Sequence, residues 1–223
     1  FLLKMSYIMI TKKRVVLFLL FIFPLIAFLL LSTGINGFNK LPVVNKNVID
    51  ISSIDSTETL QDKVSIICFL GNDLNKIKGG LFNLNEKVYK KFIDHKKFQI
   101  IAIAPKGKEK EVQILKEEID AFTDMDKWKF LIGSEAKINA FYSSFKNNTQ
   151  LLNLSSNDAF IIDKKGSLRG RTDDMKNPSR KFIGYNMRSV SDLKGPMKDD
   201  ISVLYYEYYA AFKDRKKADR KEK

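Results

Sequence analysis

The sequence predicts an α/β domain with a parallel strand core, preceded by a hydrophobic N-terminal helix. Two compact apolar runs, KVSIICFL (63–70) and FQIIAIAP (98–105), are rich in β-formers and bounded by turn signals, as in strands buried on both faces. Each run is followed by a segment of helical periodicity, and strand–helix alternation argues for βαβ units. Ahead of them Val15 to Ser32 reads VVLFLLFIFPLIAFLLLS, without a charge.

The N-terminal run is close to the roughly 20 residues that cross a hydrocarbon core as helix, and a central proline, Pro24, is tolerated there. Lys12, Lys13 and Arg14 precede it, so the positive-inside rule keeps residues 1–14 cytoplasmic and sends the rest across. A cleaved signal peptide is the rival reading. Against it, the apolar run exceeds the usual h-region of roughly 7–15 residues, and STGINGFNK is a weak cleavage site. The expected organisation is a transmembrane anchor at 15–32, a linker at 33–59 with an edge strand near its end, a domain at 60–212 and a basic tail at 213–223.

Within the domain, GNDLNKIKGG (71–80) reads as a polar, glycine-ended turn after the first strand. Leu81, Leu84, Val88 and Phe92, joined by Tyr89 and Ile93, then recur at helical spacing. FQIIAIAP is the next strand and EKEVQILKEEIDAF (109–122) the next helix. A short element, KWKFLIG (127–133), leads to a helix over 134–145 capped by Ser134. Residues 158–171, DAFIIDKKGSLRGR, predict a hairpin around Lys164-Lys165-Gly166. Residues 172–188 read as irregular, with KNPSR a surface loop. From about Ser189 the chain is helical, with Ile201, Leu204, Tyr205, Tyr208 and Phe212 on one stripe. That order is thioredoxin-like: a central mixed β-sheet flanked by helices, with an N-terminal transmembrane helix.

Composition excludes more than it suggests. One cysteine, Cys68, and one histidine, His95, leave no intramolecular disulfide, no CxxC pair and no Cys/His or His/His ligand set. The net charge of +13, from 39 Lys and Arg against 26 Asp and Glu, is spread along the chain apart from KDRKKADRKEK. It reads as solvated surface, and nucleic acid is not an expected partner. The turn lacks the P-loop spacing, although the helix N-terminus after it could cradle an anion. Asp73 and Asp163 are isolated carboxylates that predict no reaction, and Cys68, among Ile66, Ile67 and Phe69, reads as an inert core thiol.

Two stretches carry a resemblance. DKWKFLIGSEAKINAFYSSF (126–145) and AFIIDKKGSLRGRTDD (159–174) closely resemble corresponding stretches of the SCO/SenC family, membrane-anchored thioredoxin-fold proteins that help assemble the copper centre of cytochrome c oxidase. The resemblance covers roughly 60–212. The family's copper site, two cysteines in a CxxxC turn after the first core strand plus a later histidine, falls near Asp73, Ile77 and Ser155. None of the three ligands is present, which implies a degenerate copper site with no cofactor.

The resemblance implies a membrane-anchored, periplasmic-side accessory factor in respiratory oxidase biogenesis, with no catalytic residue and with oxidase assembly proteins as partners. The expected topology is a single pass through the inner membrane. The candidate loop comprises Cys68, Asn72, Asp73, Lys76, Ile77 and Ser155. The alternative is a divergent thiol-disulfide or peroxide-handling protein that uses Cys68 alone.

Overall fold

The computed structural model describes residues 12–33, 40–147, 149–171 and 182–221. The chain divides into two compact units, Phe1–Asn39 and Lys40–Lys223.

In the first unit, α1 (Lys12–Thr33) is a continuous 22-residue helix through Pro24. At 1.5 Å rise per residue its backbone is about 33 Å long. Its large apolar side chains are exposed, from 39 % at Ile22 to 67 % at Leu30. Among the described residues no helix is long and apolar enough to cross a membrane, so the expected span is not confirmed.

The second unit is a mixed sheet, seven-stranded among the described residues, in the order β1-β6-β5-β2-β3-β4 with β7 beside β5. β2 (Val64–Phe69), β3 (Phe98–Pro105) and β4 (Trp128–Gly133) are parallel, with Ile66 opposite Ile100 and Ile103 opposite Leu131. On its other side β2 pairs antiparallel with β5 (Asp158–Ile162), which turns through a hairpin into β6 (Leu168–Arg169). β1 (Val43–Asn45) pairs antiparallel with β6, and β7 (Tyr185–Asn186) with the start of β5.

The helices are α2 (Leu74–Leu84), α3 (Lys90–Phe92), α4 (Glu109–Asp120), α5 (Glu135–Ser143), α6 (Val190–Asp192) and α7 (Lys198–Lys221). Strand alternation sorts the core into two layers. Ile66, Cys68 and Leu70 join a cluster with Ile77, Leu81, Leu115 and Ile201, from α2, α4 and α7. Ile67 and Phe69 join one with Ile51, Ile138, Phe141 and Phe145. A parallel βαβ unit, then an antiparallel hairpin and a closing helix around a central β2, is the thioredoxin-like arrangement.

Several expectations shift. The stretch expected as linker, 33–59, belongs to the compact unit from Lys40 on, because Leu41, Ile51 and Ile54 are buried. The turn is shorter than expected, since α2 begins at Leu74 and carries Gly79 and Gly80 inside it. Gly80 is there because a Cβ would stand 3.0 Å from Met187 Cβ, so the glycine permits close packing rather than breaking the helix. A π-helical stretch, Asn85–Tyr89, joins α2 to α3, and another, Leu193–Met197 around Pro196, joins α6 to α7. Proline lacks the N–H that regular α-helix would use there.

Of the C-terminal stripe, Ile201 and Leu204 are buried and Tyr205 and Tyr208 pack against the core, but Phe212 is 52 % exposed. The Tyr205 hydroxyl is buried without a hydrogen-bond partner. The loop expected at KNPSR lies outside the described residues, and α7 carries the helix into the expected tail as far as Lys221.

Candidate functional site

β2 delivers the chain to the C-terminal edge of the sheet, where Leu70 bridges Ser155 and the Leu151–Asp158 segment lies against the turn. Phe69 O accepts from Ser156 N at 3.1 Å and Asn153 O from Asn72 N at 3.1 Å. Ser155 Oγ donates to Phe69 O at 3.4 Å. Gly71 makes this closeness possible: its φ is +71°, and a Cβ would fall 2.5 Å from Ser155 Cβ and 2.6 Å from Asn153 O. The opposing loop is also strained, with Asn153 at φ +51° and Leu154 at +61°.

The expected site residues separate into two sets. Asn72, Asp73 and Lys76 are exposed at the turn and the start of α2, with half-buried Ser155 across from them. Lys76 Nζ lies 3.4 Å from Asp73 Oδ2. Cys68 and Ile77 are instead in the core, at 0 % and 1 % exposure. Ile77 faces inward because α2 already includes it, one turn past its start. Burial pushes the Cys68 thiol far above its ordinary range, so both thiolate chemistry and access are closed to it.

These donors do not fit copper. Soft thiolate and imidazole select it, whereas Asp73 and Ser155 offer hard oxygens and Ile77 nothing. Among the described residues no group of three His, Cys, Asp or Glu could hold a metal ion. An anion is disfavoured as well, because Asp73 occupies the N-cap of α2 with its own charge and makes no capping bond.

Other polar groups of the domain are structural or were illegible in sequence. Asp163 accepts from Lys165 N at 2.8 Å and Ser167 N at 2.9 Å, which shapes the hairpin turn, and pairs with Arg169 at 3.1 Å. Asp158, at the start of β5, is half-buried; burial, then the charge of Asp192, raises its carboxyl pKa. Asp192 is itself 6 % exposed and belongs to α6. No motif joins these two carboxylates; the β5–β7 pairing brings them near the turn. His95 is exposed and stacks on Tyr205, 4.1 Å between centroids.

No family model and no curated protein matches the chain. Solved structures similar to it include the soluble domain of Sco1 from Bacillus subtilis, at 15% identity and TM-score 0.42, covering 73% of this chain and 97% of that one. A SCO1/SenC family lipoprotein from Bacillus anthracis is similar at 18% identity and TM-score 0.38, covering 64% and 79%. A thioredoxin-family thiol:disulfide interchange protein from Chlorobium tepidum is similar at 12% identity and TM-score 0.46, covering 74% and 99%. The fold assignment rests on the strand order above and not on these likenesses.

Proposed function

We propose that the chain is a membrane-anchored, extracytoplasmic thioredoxin-fold protein that works through protein contacts, without thiol or copper chemistry, as an accessory factor in respiratory oxidase biogenesis. One observation carries the non-catalytic part: the only thiol of the chain is sealed in the core while the turn above it presents Asn72, Asp73 and Lys76. The turn and the loop holding Ser155 are in contact, as a working site needs, but the side chains there supply no redox couple and no soft ligand. The oxidase setting rests on the resemblance of 126–145 and 159–174 to the SCO/SenC family. Anchoring is supported by the uncharged stretch 15–32, by the length of the α1 backbone and by its exposed apolar side chains.

The test uses the full chain in detergent. A thiol reagent modifies Cys68 only after denaturation, and the purified protein retains no equimolar copper. Affinity purification from native membranes recovers oxidase assembly proteins. Rapid labelling of the folded chain, or tight copper lost on Cys68→Ser, overturns the non-catalytic reading; recovery of unrelated partners alone overturns the oxidase setting.

A further inference from the structure

β4 is the edge of the sheet, with β3 as its one strand neighbour among the described residues. In a strand, successive residues turn their N–H and C=O to alternate sides. Lys127 O accepts from Ile100 N at 2.8 Å and Gly133 O from Lys106 N at 3.0 Å, so the odd-numbered positions face β3. Phe130 and Ile132 therefore aim both backbone groups outward. Trp128 aims its C=O outward, while its N–H is held by Met125 O at 2.9 Å.

Those same three residues direct their side chains toward α4, where Phe130 and Ile132 are only half covered. A groove of about 440 Å³ follows this edge, lined by residues 128–132, by α4 from Glu109 to Lys116, and by Asp55 and Glu58. Trp128 is 5 % exposed, yet its Nε1 has no partner. The register against β3 is unbroken, so no bulge blunts the edge, and β4 contains no proline.

We infer that the groove is filled by β4 of a second copy, paired antiparallel about Phe130 in a two-fold dimer. The rim charges select this occupant. α4 crosses back between two parallel strands, so it runs opposite to β4, with Glu109 level with Ile132. Lys116 lies two turns, about 10 Å, further along, level with Lys129, since three strand residues also span about 10 Å. A dyad through Phe130 exchanges the levels of Ile132 and Trp128, which brings each Glu109 within one strand residue, about 3 Å, of the level of Lys116 of the partner subunit, a gap that two long side chains span. Neither residue has an ion pair in its own chain among the described residues. The pairing lets the two Phe130 residues exchange backbone bonds, and each Ile132 N–H meets the other copy's Trp128 carbonyl.

Sedimentation equilibrium of the full chain in density-matched detergent tests the dimer, with emission from Trp128, the chain's only tryptophan, as a second readout. A dimer mass is expected, with an emission change that follows association. Ile132→Pro removes an outward N–H that the fold does not use, so it weakens association at least tenfold while far-UV circular dichroism is unchanged. Glu109→Lys and Lys116→Glu each weaken it severalfold, and the double swap restores it. A monomer at every concentration overturns the inference, whether or not some other peptide occupies the groove. So does a dimer indifferent to Ile132→Pro, which would trace association to α1. If that variant misfolds, the charge swaps decide: no loss in the singles, or no recovery in the double, overturns the pairing.

Discussion

Gly71 and Gly79 lie eight positions apart in one short stretch, and opposite outcomes are expected from replacing them. At Gly71 a methyl group would meet Ser155 and the Asn153 carbonyl inside contact distance, on a backbone with φ +71°. Gly71→Ala is expected to destabilise by on the order of 3 kcal/mol in urea unfolding. Gly79 sits within α2 with nothing within 4 Å of its would-be Cβ, and Gly79→Ala should stabilise by roughly 0.5–1 kcal/mol through helix propensity. Equal effects at both positions would refute the close turn-to-loop approach. His95 gives a second residue-scale prediction. Loss of hydration where it packs, then the Lys127 charge, lowers its pKa below 6.5. The unfolded chain therefore takes up this proton first, and the fold loses stability as pH falls from 6.5 through the lower folded value. An NMR titration of this single histidine should give a midpoint below 6.5. In His95→Gln the stability lost between about pH 7.5 and 5.5 should be smaller than in the parent chain.

At the scale of elements, Glu207 ties three pieces of chain together. From α7 its carboxylate accepts from Arg169 of β6 at 2.5 Å and from Leu41 N, just before β1, at 2.6 Å. Arg169 is 7 % exposed and shares its guanidinium with Asp163 at 3.1 Å. Glu207→Ala leaves a buried cation half-paired and a backbone N–H without its acceptor, a loss of about 2–4 kcal/mol. Lys76→Ala breaks only the exposed pair with Asp73 and should cost less than about 1 kcal/mol. Comparable losses in thermal or urea unfolding would contradict the docking role of Glu207. Nothing in the sequence marks this network, because its members lie in segments separated by most of the domain. Elements whose evidence is local were legible: the two apolar strands, the Ser134 cap and the hairpin. β1 is three residues in a polar stretch and acquires strand character only from β6. The start of α2 was masked because a glycine pair signals a turn locally, whereas Gly80 answers to Met187, far along the chain. For the site, inert burial of Cys68 followed from its apolar neighbours. The nearness of Ser155 to the turn was foreseen through the family resemblance alone, since the left-handed backbone at Asn153 and Leu154 carries no sequence signal.

At the scale of the whole molecule, the two units differ in what stabilises them. Both core clusters of the second unit draw their members from residues 51–204, with Val44 and Val48 packed alongside. Leu41 is the earliest residue of that unit to be buried. A domain with its own core folds by itself, so a chain beginning at Lys40 should keep the cooperative unfolding transition of the full protein, with a midpoint within about 2 °C, since it retains every member of both clusters. Among its described residues the first unit shows no such core: the apolar side chains are exposed along a helix of about 33 Å. If α1 anchors the chain as proposed, hydrocarbon around it stabilises it, since every backbone group inside a helix is already satisfied. Removal of residues 1–39 should therefore move the protein from the detergent phase to the aqueous phase in a two-phase partition while unfolding is unchanged. A shortened chain that unfolds without cooperativity would show that the domain depends on its N-terminal unit. One that still partitions into detergent would show that the membrane-seeking surface lies elsewhere, and the anchoring role of α1 would fall with it.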